Sequence, residues 1–246
     1  LDSLPFPAYH KIDFEDYGRM GFVPVSRGCG FACSFCSASD FWGGKKVERS
    51  VKNIIQELCL IESNLERFFL AYYSQNCDKS IHRFCSEMKK ERIDVPWESR
   101  GTIGPLSSDF LETVTTASCW KLHYFVVSGS NRVLNKVGTP FAVEEAVNVV
   151  RKSSASIEEI EVSLVWGFPF ATIEDFYETV LCSTTLMSMS NVEVSMTLLS
   201  PIPSSRMYRE YCDSLRFDRN FISKLTYPLG GVISNYQELI GLVQSY

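Results

Sequence analysis

The chain has little of what marks several protein classes. Histidine occurs three times, at His10, His82 and His123, and none sits in a C-x2-C…H-x3-H pattern. A zinc finger of that type is therefore excluded. There is no run of about eighteen apolar residues, so no helix crosses a membrane on hydropathy grounds. Positive charge is in short supply: 24 Lys and Arg stand against 29 Asp and Glu, leaving a net charge of −5. No broad basic surface advertises nucleic acid binding. The opening Leu1-Asp-Ser-Leu-Pro-Phe-Pro7 lacks the basic and apolar regions of a secretory signal. It also lacks an initiator Met, and the expectation is a domain excised from a longer protein.

Cysteine is plentiful. Nine are present, at positions 29, 33, 36, 59, 77, 85, 119, 182 and 212. The odd number and the scatter of six of them argue against a disulfide scaffold and point to a reducing, cytoplasmic setting. Cys59, Cys85 and Cys182 fall in stretches of helical apolar periodicity, where a free cysteine is expected to act as a small buried hydrophobe. The other three are concentrated in Arg27-Gly-Cys29-Gly-Phe-Ala-Cys33-Ser-Phe35-Cys36-Ser37, with spacing C-x3-C-x2-C. Three thiolates on one tight loop can hold one metal centre. A [4Fe-4S] cube is usually closed by four cysteines. Three leave one iron open, and an open coordination position separates catalytic metal sites from sealed structural ones. Zinc stays as an alternative but wants a fourth ligand at familiar spacing, and a fourth cluster ligand from the remaining six cysteines stays open.

The 246 residues, 45% hydrophobic and 22% charged, have a normal globular balance. Their pattern alternates strand and helix. The strands are read at 21–26, 67–72, 95–100, 121–127, 160–165 and 192–198. Between them, Ser50 caps a helix carrying Val51, Ile54, Ile55, Leu58 and Ile61 at helical spacing. Further helices are read over 79–90, 107–117 (with Ser-Ser-Asp at its N-cap), 131–137, 143–152 and 172–187. Beyond Pro201 the pattern reads as partly irregular. Repeated β/α units with short loops predict an α/β fold with a parallel sheet and helices outside. A closed eight-unit barrel needs about 250 residues, so a partial (β/α)6 TIM-like barrel fits better. Periodicity alone does not separate it from a doubly wound sheet. In either, ligands sit at the C-terminal strand ends, where the cysteine loop follows the first strand.

The cysteine spacing, with an aromatic before the last cysteine, resembles the signature of the radical SAM superfamily. The likeness covers roughly residues 4–210 and implies the partial (β/α)6 barrel. It also implies that Cys29, Cys33 and Cys36 ligate a [4Fe-4S] cluster, that S-adenosylmethionine chelates the open iron, and that Phe35 packs near the adenine. Phe41-Trp-Gly-Gly-Lys45 with Glu48-Arg-Ser50 resembles the segment after the cluster loop in relatives that carry an upstream cobalamin-binding domain. Val127-Ser-Gly-Ser130-Asn-Arg132 resembles an E-S-G-S-x-R stretch, which implies Ser128 and Arg132 near the SAM ribose or carboxylate. Gly167-Phe-Pro169-Phe-Ala-Thr172 resembles the G-x-P-x-x-T turn after the fifth strand, which implies Gly167 close to the cofactor. Leu4-Pro-Phe-Pro-Ala-Tyr-His10 resembles the linker from a cobalamin domain. The implied organisation is a lead-in over 1–20, a barrel over 21–210 and a C-terminal extension over 211–246. The implied activity is reductive cleavage of SAM to start radical chemistry on an unknown substrate, with cobalamin-assisted methylation as one branch. The electron would come from a donor such as flavodoxin or ferredoxin.

Three departures stand out. Val127 replaces a Glu or Gln, and a valine cannot accept a ribose hydroxyl bond. Tyr72-Tyr73 stands where relatives have an acidic pair, and Ser204-Ser205 replaces a P-G-T turn after the sixth strand. The first two favour a competing expectation, a non-catalytic cluster-binding or scaffold module.

Overall fold

The computed structural model describes residues 1–71, 79–106, 109–200 and 202–214. Tyr72-Tyr73, Cys77, the start of the 107–117 helix and residues 215–246 lie outside them.

Six strands form one parallel sheet: β1 (Met20–Pro24), β4 (Arg67–Ala71), β5 (Trp97–Gly101), β6 (Cys119–Val127), β7 (Glu159–Trp166) and β8 (Val192–Leu198). Their order across the sheet is their order in the chain. A doubly wound sheet reverses direction at a switch point; this sheet has none. With right-handed crossovers throughout, a monotonic order puts every helix on the same side. The open, barrel-type alternative is therefore the observed one. A second, two-stranded antiparallel sheet pairs β2 (Ser26–Arg27) with β3 (Val47–Glu48).

The helices are α1 (Ala38–Phe41), α2 (Val51–Ile61), α3 (Lys79–Glu91), α4 (Phe110–Thr115), α5 (Asn131–Val137), α6 (Val143–Ser154), α7 (Ile173–Met187) and α8 (Arg206–Tyr211). Side-chain caps fix the starts of α2, α7 and α8. The Ser50 side chain accepts from Asn53 N. Thr172 and Asp175 form a reciprocal capping box on α7. Asp109 stands at the N-cap of α4 but makes no capping bond, and its carboxylate lies 3.8 Å from His82 Nδ1. The stretch after Pro201 is not irregular throughout: Ser205 caps α8 by accepting from Tyr208 N. A polar Ser-Ser pair hides this start from periodicity.

Alternation along the strands divides the sheet into two faces. Val23, Phe68, Leu70, Trp97, Leu122, Tyr124, Val126, Ile160, Val162, Leu164, Val194 and Met196 are buried in one continuous core with the helices. The opposite face carries Phe22, Phe69, Glu98, Lys121, His123, Glu161 and Ser163. A closed barrel fills its interior with bulky branched side chains. Here Phe22 is 64% and Phe125 50% exposed on that face, so among the described residues it is uncovered and carries aromatic and ionic side chains together. The apolar residues of α2 singled out in the sequence are all buried, and so are Cys85 and Cys182. Cys59 is exposed instead. It directly follows buried Leu58, and the apolar stripe of α2 faces away from it.

The lead-in is part of the packing. Glu57 of α2, 1% exposed, accepts from Tyr9 Oη at 2.5 Å and from Arg49 Nη1 at 2.5 Å. Arg49 also donates to Pro24 O at 2.8 Å and lies over the Phe6 ring. Asp2 accepts from Ser50 N at 2.9 Å. The lead-in, α2 and the end of β1 thus share one ionic anchor.

Candidate active site

The cysteine loop leaves the sheet at the C-terminal end of β1, and the β2–β3 pair closes its neck. Gly28, at φ +83°, lies under this closure. A Cβ there would meet Lys45 O at 1.9 Å, so only glycine fits. Sequence reasoning missed Gly28, although a glycine directly before the first cysteine was the available signal.

Within the loop, Cys36 N donates to Cys33 O at 3.1 Å. This closes a turn with Ser34 and Phe35 at its centre and brings both flanking cysteines to one end. The loop is held from two sides. Ser34 N donates to Val137 O at 2.8 Å, at the end of α5, and Met207 N of α8 donates to Ser34 O at 2.8 Å. Arg206 reaches Ala32 O, and Arg209 pairs with Asp40 at 2.6 Å. The short α8 is thus a brace for the cysteine loop.

Cys29, Cys33 and Cys36 are free and partly exposed. Phe31 N donates to Cys29 Sγ at 3.5 Å, and Ala38 N to Cys36 Sγ at 3.4 Å. The Cys33 thiol is pushed up to about 11, first by burial and then by the neighbouring charges of Cys36 and Cys29. Among the described residues, however, no three Cys, His, Asp or Glu side chains converge into a ready metal cage. The donor chemistry suits an iron-sulfur cluster: soft thiolates on one loop, with backbone N–H groups directed at two sulfurs. Ser34 Oγ is in addition buried and has no hydrogen-bond partner.

The site residues inferred from sequence divide into two groups. Phe35 and Gly167 line one cavity of about 150 Å³ together with Pro169, Leu199, Met207 and Tyr208. Gly167 has φ +84°, which favours glycine in the turn after β7. Phe35 meets Phe168 edge-on at 5.8 Å. Beneath lies a second apolar cluster of Val127, Val133, Leu134, Val137, Val165, Phe168 and Met207.

Ser128 and Arg132 belong to a different cluster, facing α7. Ser128 Oγ lies 3.0 Å from Thr179 Oγ1 and accepts from Ser130 N at 3.1 Å. Arg132 Nε donates to Asp175 Oδ1 at 3.0 Å, and Nη2 donates to Asp175 Oδ2 and, at 3.0 Å, to Phe170 O. Arg132 thus ties the turn after β6 to the turn after β7. Asp175, 4% exposed, also accepts from Ser130 Oγ and Thr172 N, each at 2.7 Å. Its carboxyl is held well below the usual carboxylate range, chiefly by Arg132 and against the cost of burial.

Val127 joins these regions. Its φ of +73° is left-handed, and the β6–β7 register shifts there. For a buried β-branched residue this is a real outlier. The kink directs Val127 into the apolar cluster on which Phe35 packs.

Lower on the open face, His123 Nε2 lies 2.8 Å from Glu98 and Nδ1 3.2 Å from Glu161, while Lys121 bridges Glu159 at 2.5 Å and Glu161 at 3.0 Å. His123 also meets the Phe69 ring edge-on, and Phe69 stacks on Phe22. The Glu161 carboxyl is drawn down to about 2, first by its bond to His123. This row was not singled out from sequence, because its residues are spread over strands that come together only on folding.

Among the described residues no helix is long and apolar enough to cross a membrane. Known proteins resemble the chain in sequence and in fold. An uncharacterized methyltransferase of Pyrococcus horikoshii is 23% identical over 217 residues, covering 85% of this chain and 46% of the relative. The cytidylyl-2-hydroxyethylphosphonate methyltransferase of Streptomyces wedmorensis is 25% identical over 187 residues, 69% of this chain and 35% of the relative. The fold is also that of the radical S-adenosylmethionine methyltransferase TsrM from Kitasatospora setae, solved with cobalamin and a [4Fe-4S] cluster bound. Its TM-score is 0.71 at 18% identity, over 88% of this chain and 44% of that one. The chain therefore spans less than half the length of each of these proteins. The family model of the radical SAM superfamily matches residues 23–182, from β1 with its cysteine loop into α7. With the unbroken parallel strand order and the C-x3-C-x2-C loop at the mouth of the first strand, that match makes this chain a member of the radical SAM superfamily.

Proposed function

We propose that the chain is the catalytic barrel of a radical SAM methyltransferase. Cys29, Cys33 and Cys36 would hold a [4Fe-4S] cluster, and three protein ligands would leave it a coordination position for SAM. The observation that carries this reading is the position of the cysteine loop, necked by β2–β3 and braced by α8 at the mouth of the open sheet, beside the cavity lined by Phe35 and Gly167. When bound, the reduced cluster supplies the electron that cleaves the SAM sulfonium, drawn from a flavodoxin- or ferredoxin-type donor. The protein's own residues bind, orient and exclude water. Phe35, Pro169 and Leu199 offer apolar surface to the adenine, and Gly167 lets backbone approach it. Ser128 and Arg132 act at one remove, fixing the turns after β6 and β7 that form one wall of the mouth. The lead-in over 1–20 joins the barrel to an upstream domain, which supplies a cobalamin as methyl carrier. The methyltransferase names of the relatives and the cobalamin in the TsrM structure support this branch.

The competing reading, a cluster module without turnover, draws on Val127. That side chain offers SAM no acceptor, and it takes up a strained backbone to pack against apolar neighbours. Both readings are tested by incubating the anaerobically reconstituted chain with SAM and a low-potential reductant. The catalytic reading expects 5′-deoxyadenosine or S-adenosylhomocysteine. A fully loaded cluster that forms neither leaves the module reading in its place.

A further inference from the structure

Only three buried side-chain polar atoms among the described residues lack a hydrogen-bond partner: Ser26 Oγ, Ser34 Oγ and Trp120 Nε1. Of these, only Ser34 lies between two of the three clustered cysteines. It is 7% exposed. Its backbone is committed on both sides, N–H to Val137 O and C=O from Met207 N, so the residue is pinned while its hydroxyl stays unspent. A buried hydroxyl without a partner is costly and calls for an explanation. In the same loop, Cys29 and Cys36 already accept N–H groups. Those two sulfurs thus take donors from the backbone two residues on, and the Ser34 hydroxyl is the unspent side-chain donor of the loop.

We infer that the Ser34 hydroxyl, which meets no cysteine sulfur itself, donates a hydrogen bond to a bridging sulfide of the bound cluster and so raises the cluster's reduction potential. This rests on the cluster assignment proposed above. One-electron reduction adds negative charge to the sulfurs. A donor directed at them stabilises the reduced state more than the oxidised one. Removing the donor makes the potential more negative without removing a ligand. Ser34 is then a tuning residue and does not touch the reacting atoms.

The test uses wild type, Ser34→Ala, and the same-shaped pair Ser34→Thr and Ser34→Val, each reconstituted anaerobically. Iron content is measured first, then the midpoint potential by EPR-monitored titration without SAM. The expected result is full loading of Ser34→Ala with a more negative midpoint, and a more negative midpoint for Ser34→Val than for Ser34→Thr. The Thr/Val pair decides the matter if Ser34→Ala loads poorly. Equal midpoints in loaded variants overturn the inference while leaving the cluster assignment intact. A midpoint difference that arises only when SAM is added assigns the hydroxyl to SAM and also overturns it. Failure of wild type to take up iron removes the assignment on which the inference stands.

Discussion

Replacing Asp175 by Ala tests whether the Ser128–Arg132 region supports structure. The carboxylate is 4% exposed and accepts from Ser130 Oγ, Thr172 N, Thr172 Oγ1 and two nitrogens of Arg132. Truncation removes the partner of a buried Ser130 hydroxyl, at about 1–3 kcal/mol. It also breaks the capping box of α7, at about 1 kcal/mol. The Arg132 ion pair adds little to this sum, because the guanidinium is half exposed and regains water. The total is about 3 kcal/mol. With a urea m-value of about 2–3 kcal/mol/M, the midpoint falls by about 1–1.5 M. The assay is urea unfolding of the reduced apoprotein followed by circular dichroism. A midpoint within about 0.3 M of wild type refutes the reasoning. The pH dependence has a definite sign. The folded carboxyl lies below its ordinary value, so its contribution is complete above about pH 4 and is lost as pH falls toward the folded value. The gap between wild type and Asp175→Ala should therefore narrow below about pH 4. Arg132→Ala should lower stability in the same sense but by less. If it leaves stability unchanged and abolishes SAM binding, Arg132 is a direct cofactor contact.

Gly28→Ala forces a Cβ against the Lys45 carbonyl; it should open the β2–β3 neck, seen as faster amide exchange at 26–28 and 47–48 and reduced iron uptake. Tyr9→Phe takes one charge-assisted bond from the buried Glu57 and should cost about 1.5–3 kcal/mol in urea unfolding, whereas a passive linker would show no change. Glu161→Gln should flatten the acid limb of stability. In wild type the carboxyl, drawn down to about 2, contributes fully above about pH 4.5 and less as pH falls toward 2; identical acid limbs in urea titrations would contradict this.

Much of the fold was legible in the sequence because strand and helix periodicities are local. Val192–Leu198 and Asn131–Val137 have the bounds their patterns suggest, and Ser50 and Thr172 cap the helices they precede. Strand order was not legible in periodicity, since nothing in a period-2 pattern states which strand lies beside which; it was implied by the likeness to the radical SAM superfamily, and the sheet has it. The β2–β3 neck was hidden because two-residue strands carry no periodicity. The α8 brace was hidden because its start is polar. For the site, the cysteine loop could be read from spacing alone. The placement of Arg132 could not, since an arginine after a S-G-S turn serves a buried carboxylate as well as a ligand. Its partner, Asp175, is 43 residues away and becomes a neighbour only through the fold.

The central claim is that three cysteines hold a cluster whose fourth iron is open to SAM. The most direct measurement is the EPR spectrum of the reduced, reconstituted chain with and without SAM, read beside its iron content. The account predicts about four irons per chain, a spectrum that changes on adding SAM, and loss of both features in Cys29→Ala, Cys33→Ala and Cys36→Ala. A fully loaded cluster whose spectrum ignores SAM, or one that survives loss of any of the three cysteines, would contradict it.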